Sequence, residues 1–167
     1  VFNSLEPTLK KLLPEVMEYQ NRITFPSYEE SIPVQSQQKL GLQIMKSLGF
    51  DFSKGRLDTS VHPFSGGVPD DVRITTRYNE KHWAESLMGV IHETGHALYE
   101  QGLPLNWRGQ PVGSARGMVL HESQSLLMEM QACRSREFFT YLAPLISKTY
   151  GVTGDHWSVK SLSHNAI

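Results

Sequence analysis

The feature that most constrains this chain is the pentapeptide His92-Glu93-Thr94-Gly95-His96, which lies inside the apolar run from Trp83 to Leu98. Such a run predicts a helix that is buried on most sides. On a helix, histidines four residues apart point to the same face. Together they suit a zinc ion, which binds imidazole nitrogens at about 2.0–2.1 Å. Glu93 lies roughly 100° further round the helix, where it can accept a proton from water as a metallopeptidase base does.

A second interpretation of the motif is purely structural: a buried helix with two histidines at its edge and a solvated glutamate. The apolar surroundings favour a binding site, because two imidazoles and a carboxylate are costly to bury unless something binds them. Gly89 and Gly95 point the same way. Glycine in a helix costs about 0.8–1.0 kcal/mol relative to alanine. These two therefore predict places where another backbone or a substrate comes close.

Composition narrows the classes of partner. The 167 residues amount to one domain or a piece of a larger one. The 16 basic and 17 acidic residues leave a net charge of −1, which argues against nucleic acid or an anionic membrane surface as partner.

No apolar run reaches the roughly 18 residues of a membrane span. The single cysteine, Cys133, excludes an internal disulfide and suits a reducing, cytoplasmic setting, or it simply fills a buried position.

The first third of the chain predicts two helices. Residues 4–22 have apolar residues at helical spacing, and Pro14 should kink this helix or split it in two. A loop is expected over residues 21–32. Pro33 then opens a second helix in the favoured first-turn position, and Gly49 ends it.

Residues 50–77 have a different character, with glycine and proline turns between short β-branched runs. Residues 72–76 alternate between apolar and polar side chains and predict a strand, with residues 57–61 as its partner. We therefore expect one small antiparallel β-sheet, near residues 57–77, in a chain that is otherwise mainly α-helical.

Helices are expected again in the second half. Asn79 is the predicted N-cap of the motif helix, which should end near Gln101. After a loop, a long helix is predicted from residue 117 to 141. One or two final helices should follow, broken by Pro144 and by the turn at residues 151–154.

A catalytic zinc needs three protein ligands and one open position. The extended metzincin pattern requires a histidine and a glycine where this chain has Gly102 and Tyr99, so that class is excluded. The best third ligand is Glu122, on the next predicted helix, with Glu129 and Glu100 as alternatives. Glu122 also has a structural interpretation, as a carboxylate favoured at a helix N-terminus by the helix dipole.

Four motifs in the chain resemble a known family. They are His62-Pro63-Phe64, Asp71-Val72-Arg73-Ile74-Thr75, the pentapeptide at residues 92–96, and His121-Glu122-Ser123. In this order they are similar to the M32 metallocarboxypeptidases, the thermostable carboxypeptidase type. Residues 55–58 and 98–102 also look like that family, and the resemblance covers roughly residues 33–140.

The resemblance implies a zinc or cobalt carboxypeptidase that removes single residues from peptides with a free C-terminus. It implies His92, His96 and Glu122 as metal ligands and Glu93 as general base. The implied fold is a helical, neurolysin-like peptidase body, and members are typically homodimers in the full-length form.

Members of that family are also much longer, so we expect residues 1–167 to be one piece of a larger helical peptidase domain. The expected division is an N-terminal helical segment (1–32), a metal-binding catalytic core (33–141) and a truncated C-terminal helical segment (142–167). The family's arginine and tyrosine that hold the substrate carboxylate have no match in this chain.

Several further residues are candidates for contact with substrate. Asp71, Arg73 and Thr75 share one face of their strand, which we predict to be an edge to which an extended peptide adds. The alternative is the polar outer face of a small sheet. His62 could orient substrate or stabilise an oxyanion, or serve only the turn. His121 is expected to hydrogen-bond near the metal.

The supporting contacts of the ligands are expected from the backbone, from Asp71 or from a segment outside the chain, since the position one turn after Glu122 is Leu126. Three histidines are predicted to be surface residues: His82, His156 and His164.

Two further functions stay open beside the carboxypeptidase. One is an endopeptidase or dipeptidase with the same ligands. The other is a folded fragment that binds metal without turnover.

Overall fold

The computed structural model describes residues 2–22 and 30–165. These residues form six α-helices: α1 (Phe2–Asn21), α2 (Val34–Leu48), α3 (Trp83–Gln101), α4 (Met118–Leu126), α5 (Arg136–Tyr150) and α6 (Val159–Asn165). A π-helical segment, Leu127–Ala132, continues directly from α4. None of the described helices is both long and apolar enough to cross a membrane. The prediction of a mainly α-helical chain is confirmed.

A three-stranded sheet lies between α2 and α3 in the chain: β1 (Gly55–Thr59), β2 (Phe64–Val68) and β3 (Asp71–Thr76). The strand order is β1-β3-β2, so β3 is central. The predicted antiparallel pairing of residues 57–61 with 72–76 is wrong, because β1 pairs with β3 in parallel. The antiparallel neighbour of β3 is β2, which is joined to it by a tight turn and therefore takes the other edge. The sheet is mixed.

Helix α3 lies at the centre of the fold, and 11 of its 19 residues are buried. One core cluster joins α3 to α2, α5 and α6; its members include Leu40, Ile44, Trp83, Leu87, Ile91, Leu142, Ile146 and Leu162. A second cluster joins α3 to α2 and the sheet; its members are Met45, Phe50, Leu57, Val72, Ile74, Val90 and Ala97. The motif helix is therefore held from two sides.

The predicted break at Pro14 in α1 and the predicted start and end of α2 have different outcomes. Helix α1 runs through Pro14 without being split, and none of its side chains is buried. The predicted loop over 21–32 falls mostly on residues 23–29, outside the described residues. Helix α2 follows Pro33 and ends at Gly49, whose φ of 101° is the left-handed conformation that glycine adopts at low cost.

The N-cap prediction for α3 is wrong. The helix begins at Trp83, with His82 at the N-cap position. Asn79 instead accepts a hydrogen bond from the backbone N–H of Lys81, at 2.9 Å, in the turn before the helix. Asparagine caps turns as readily as helices, and the local sequence does not distinguish the two.

The predicted long helix over residues 117–141 is interrupted. Helix α4 passes into the π-helical segment, which ends before Cys133, and α5 begins after Ser135. The Ser135 hydroxyl accepts a hydrogen bond from the backbone N–H of Phe138 at 3.2 Å and so caps α5. Pro144 lies inside α5 and does not break it, whereas Gly151 ends that helix as predicted.

Candidate metal centre

Helices α3 and α4 bring the three predicted metal ligands together. Nε2 of His92 lies 3.6 Å from one carboxylate oxygen of Glu122, and Nε2 of His96 lies 3.3 Å from the other. One ligand atom from each residue lies within 4.8 Å of the other two. These three side chains could therefore hold a metal ion.

The close approach of α4 to α3 depends on Gly95. A Cβ atom at this position would lie 2.6 Å from the carbonyl oxygen of Gln124 and 2.6 Å from Cα of Ser125. The predicted close contact with another backbone is thus confirmed at Gly95. Gly89 differs, because a Cβ there would lie 3.9 Å from Oγ1 of Thr76, which is an ordinary contact.

The spacing of the three ligands fits a metal ion. Ligand atoms that bind zinc tetrahedrally at about 2.0–2.1 Å lie about 3.3–3.4 Å from one another. The two carboxylate–imidazole distances, each to a different oxygen of Glu122, are 3.3 and 3.6 Å and are close to that value. Two imidazoles and a carboxylate are a donor set of catalytic zinc sites, and the same donors suit cobalt.

Glu93 lies on α3 directly after the first histidine and is buried. Burial raises the pKa of its carboxyl group, and the nearby Glu122 carboxylate raises it further, while His92 acts in the opposite direction. A carboxylate whose pKa is moved toward neutrality is a better proton acceptor at physiological pH.

The supporting partner of His92 is Glu129, on the π-helical segment. Nδ1 of His92 lies 2.8 Å from one oxygen of Glu129, and Nη2 of Arg134 lies 2.8 Å from the other. Burial opposes ionisation of Glu129, but the hydrogen bonds from Arg134 and His92 outweigh it and lower the pKa. The prediction that this partner comes from the backbone, from Asp71 or from a segment outside the chain is therefore wrong for His92.

A sequence signal for Glu129 was available. It follows Glu122 by seven residues, which is about two helical turns, so both side chains face α3. The sequence offers it only as an alternative ligand, whereas in the structure it contacts Nδ1 of His92, the ring nitrogen opposite the one nearer Glu122.

His96 is supported differently. Its Nδ1 lies 2.8 Å from Nδ1 of His121, and Nε2 of His121 lies 3.6 Å from a carboxylate oxygen of Glu100. Burial and the neighbouring imidazoles lower the pKa of His96. A low pKa keeps this ring neutral, which is the form that binds a metal ion. The predicted location of His121 beside the metal ligands agrees with this geometry.

Three of the residues predicted to contact substrate lie on β3, and His62 lies between β1 and β2. Asp71 and Arg73 are exposed and form an ion pair with each other at 2.9 Å, and the hydrogen bond from Arg73 lowers the pKa of Asp71. Thr75 is buried, and its hydroxyl lies 2.7 Å from that of Ser60. The same hydroxyl donates to the carbonyl of His62, whose side chain is exposed.

The structure contradicts the edge-strand prediction for β3. Both sides of β3 are paired, one with β1 and the other with β2. An extended peptide therefore cannot add to β3, and the free edges of the sheet belong to β1 and β2.

The three histidines predicted to be surface residues, His82, His156 and His164, are exposed.

Comparison with known proteins identifies the family. The model of the Carboxypeptidase Taq (M32) metallopeptidases matches residues 1–166. The chain belongs to the M32 metallopeptidase family. It is 36% identical over 174 aligned residues to thermostable carboxypeptidase 1 of Thermus thermophilus and 37% identical over 141 to carboxypeptidase 1 of Bacillus subtilis. These alignments cover 100% and 84% of the chain.

Solved structures of M32 proteins have the same fold. Metallocarboxypeptidase 1 of Trypanosoma cruzi matches 98% of the chain with a TM-score of 0.92 and 41% sequence identity. The chain spans only part of these relatives: 34% of the Thermus enzyme, 28% of the Bacillus enzyme and 33% of the Trypanosoma protein.

Proposed function

We propose that the protein is a metal-dependent carboxypeptidase in which His92, His96 and Glu122 bind one divalent metal ion. The observation that supports this most strongly is the convergence of three ligand atoms within 4.8 Å on two helices that touch at Gly95. The buried carboxylate of Glu93 lies on the same helix as both histidines. Membership of the M32 family supports peptide hydrolysis as the reaction.

In the proposed mechanism Glu93 moves the proton. A divalent ion held by His92, His96 and Glu122 would lower the pKa of water and polarise the scissile carbonyl. Glu93 accepts the proton of the attacking water and then passes it to the leaving amine. Its raised pKa suits both steps, because the group must take up a proton and release it in turn. His92 and His96 bind as neutral imidazoles, and Glu122 supplies the one negative charge among the ligands.

Zinc is the proposed ion, with cobalt as the alternative. The substrate is proposed to be a peptide with a free C-terminus, because relatives that match 100% and 84% of the chain are named carboxypeptidases. A homodimer of the full-length enzyme and a cytoplasmic location stay predictions, as do substrate contacts by His62, Asp71, Arg73 and Thr75. The division at residues 32 and 141 is likewise a proposal.

A second candidate function is metal binding without turnover. It is favoured by the short span of the chain, which is 34% of its Thermus relative. Groups that hold the substrate's terminal carboxylate would then belong to the part of the relatives that the chain does not match.

The test combines metal content with hydrolysis. Elemental analysis of wild type and of Glu122→Ala should give one metal ion per wild-type chain and a much lower content in the variant. Glu93→Gln should retain the metal and lose hydrolysis. A peptide with a free C-terminus and its amidated counterpart then separate the reactions: cleavage of the free peptide alone supports a carboxypeptidase.

The other results of this test are equally informative. Cleavage of both peptides would make the protein an endopeptidase, and metal binding without cleavage would support the second candidate function. A wild-type chain without metal would refute the site, and full activity of Glu93→Gln would remove Glu93 from the role of base.

A further inference from the structure

We propose that His121 is a positioning residue that, together with Glu100, holds the imidazole of His96 in its metal-binding orientation and tautomer. This inference rests on the proposed function, since it assumes that His96 binds a metal ion. It replaces substrate contact as the role of His121. Glu100, which the sequence suggested as an alternative ligand, becomes the outer end of the same chain of contacts.

The first argument is the direction in which each ring nitrogen points. Nε2 of His96 lies 3.3 Å from Glu122, on the side of the metal position, and Nδ1 lies 2.8 Å from Nδ1 of His121. A neutral imidazole has one donor and one acceptor nitrogen. If Nε2 of His96 gives its lone pair to the metal, Nδ1 carries the hydrogen and donates it to His121.

The tautomer of His121 follows from that of His96. Nδ1 of His121 must accept, so its hydrogen lies on Nε2, which faces Glu100 at 3.6 Å. The carboxylate attracts this N–H and so favours the tautomer that leaves Nδ1 free to accept. The metal ligand, His121 and Glu100 therefore have mutually consistent donors and acceptors.

The second argument is that both ring nitrogens of His121 face other side chains of the protein. One ring nitrogen faces His96 and the other faces Glu100. The ring also makes an edge-to-face contact with Tyr99, at 5.0 Å between centroids. His121 is thus surrounded by α3 side chains on three sides, which is the environment of a group that orients its neighbour.

The third argument is the contrast with His92. That ligand is held directly by a carboxylate, Glu129, at 2.8 Å. For His96, the nearest such carboxylate is that of Glu100, one turn further along α3. The imidazole of His121, on α4, lies between His96 and Glu100 and contacts both. The two ligand histidines thus obtain the same kind of support, one directly and the other through an intervening ring.

The experiment measures zinc affinity by competition with a chelator for wild type, His121→Leu and His121→Asn. The oxygen of asparagine can accept the hydrogen bond near the position of Nδ1, whereas leucine cannot. We expect His121→Leu to bind zinc about 10- to 100-fold more weakly and His121→Asn to stay close to wild type. The control is His82→Leu. His82 is an exposed histidine at the N-cap of α3, and its substitution should leave the zinc affinity unchanged.

Cobalt absorption spectra give a readout that does not depend on activity. The spectrum of the cobalt-loaded chain should change in His121→Leu and be restored in His121→Asn, because the orientation of a ligand ring alters the geometry around the ion. Circular dichroism of the metal-free variants checks folding. If His121→Leu does not fold, the pair Glu100→Leu and Glu100→Gln repeats the test, with Glu100→Gln expected to retain affinity.

The outcomes separate this inference from the proposed function. Wild type that binds no metal would refute the proposed function. Wild type that binds zinc while His121→Leu binds it equally well would refute only the positioning role. A His121→Asn variant as weak as His121→Leu would also refute it, because an acceptor at that position would then not be sufficient.

Discussion

Helices α1 and α3 have nearly the same length, 20 and 19 residues, but opposite surroundings. Helix α1 has an apolar stripe that includes Leu5, Leu9 and Leu13, and none of its side chains is buried. Helix α3 is covered by α2, α4, the π-helical segment and the sheet. The comparison shows that an apolar pattern predicts a helix, while its neighbours decide whether it can hold a site. Only α3 has the packed surroundings that fix two imidazoles and a carboxylate.

Matched leucine truncations give the largest expected difference between the two helices. Leu87 on α3 is 3% exposed and Leu9 on α1 is 58% exposed. We expect Leu87→Ala to lower the free energy of unfolding by about 2–5 kcal/mol, and Leu9→Ala to change it by no more than about 0.5 kcal/mol. Urea unfolding followed by tryptophan fluorescence measures both. Equal losses from the two variants would show that α1 is also packed.

The two glycines of α3 provide a second pair. In Gly95→Ala the new methyl group would overlap the backbone of Gln124 and Ser125. We expect a loss of about 1–3 kcal/mol from overpacking, together with a lower metal content. Gly89→Ala meets no close atom and should be stabilised by up to about 1 kcal/mol, because alanine is the better helix former. Similar behaviour of both variants would contradict the close contact at Gly95.

These glycines also show how far sequence reasoning reaches. The spacing of His92 and His96 follows from helix geometry alone, and Glu122 follows from the need for a third ligand. Gly95 could be predicted as a contact because glycine in a helix interior requires a compensating reason, but the same rule finds only an ordinary contact at Gly89. These inferences are local, or they concern a single missing chemical group, and each agrees with the placement of the residues.

The features that could not be predicted depend on longer-range geometry. The parallel pairing of β1 with β3 depends on where β2 lies, and alternation within a strand carries no information on the direction of its neighbour. The role of Glu129 depends on the π-helical segment after α4. Pro144 is tolerated inside α5 and Asn79 serves a turn, which are outcomes that tertiary packing decides.

The support of His92 by Glu129 gives a smaller predicted effect. Glu129→Leu removes the acceptor of the His92 N–H and should weaken zinc binding about 10- to 100-fold. Glu129→Gln can still accept one hydrogen bond and should lose less. The control is Glu137→Gln, at an exposed acid in the first turn of α5, which should bind zinc as wild type does. Chelator competition measures all three, and an unchanged affinity in Glu129→Leu would argue against this support.

The smallest predicted effect concerns Cys133, which is 1% exposed in the core cluster beside α3. Burial raises the pKa of this thiol from 9.0 to about 11. The folded state thus holds its proton more tightly, so the contribution to stability is complete below pH 9 and declines as the pH rises toward 11. A thiol reagent at pH 8 should react slowly with the native chain and at once in urea. Rapid reaction in the native state would show that this core opens readily.

The unequal exposure of the three proposed metal ligands has a kinetic consequence. The side chain of Glu122 is 42% exposed, whereas His92 and His96 are 22% and 11% exposed. Solvent and competing chelators would therefore reach a bound ion from the side of Glu122, the most exposed of the three proposed ligands. The half-life of the metal-bound site would then depend mainly on Glu122 of α4. The two histidines of α3 would set the position at which an ion binds again.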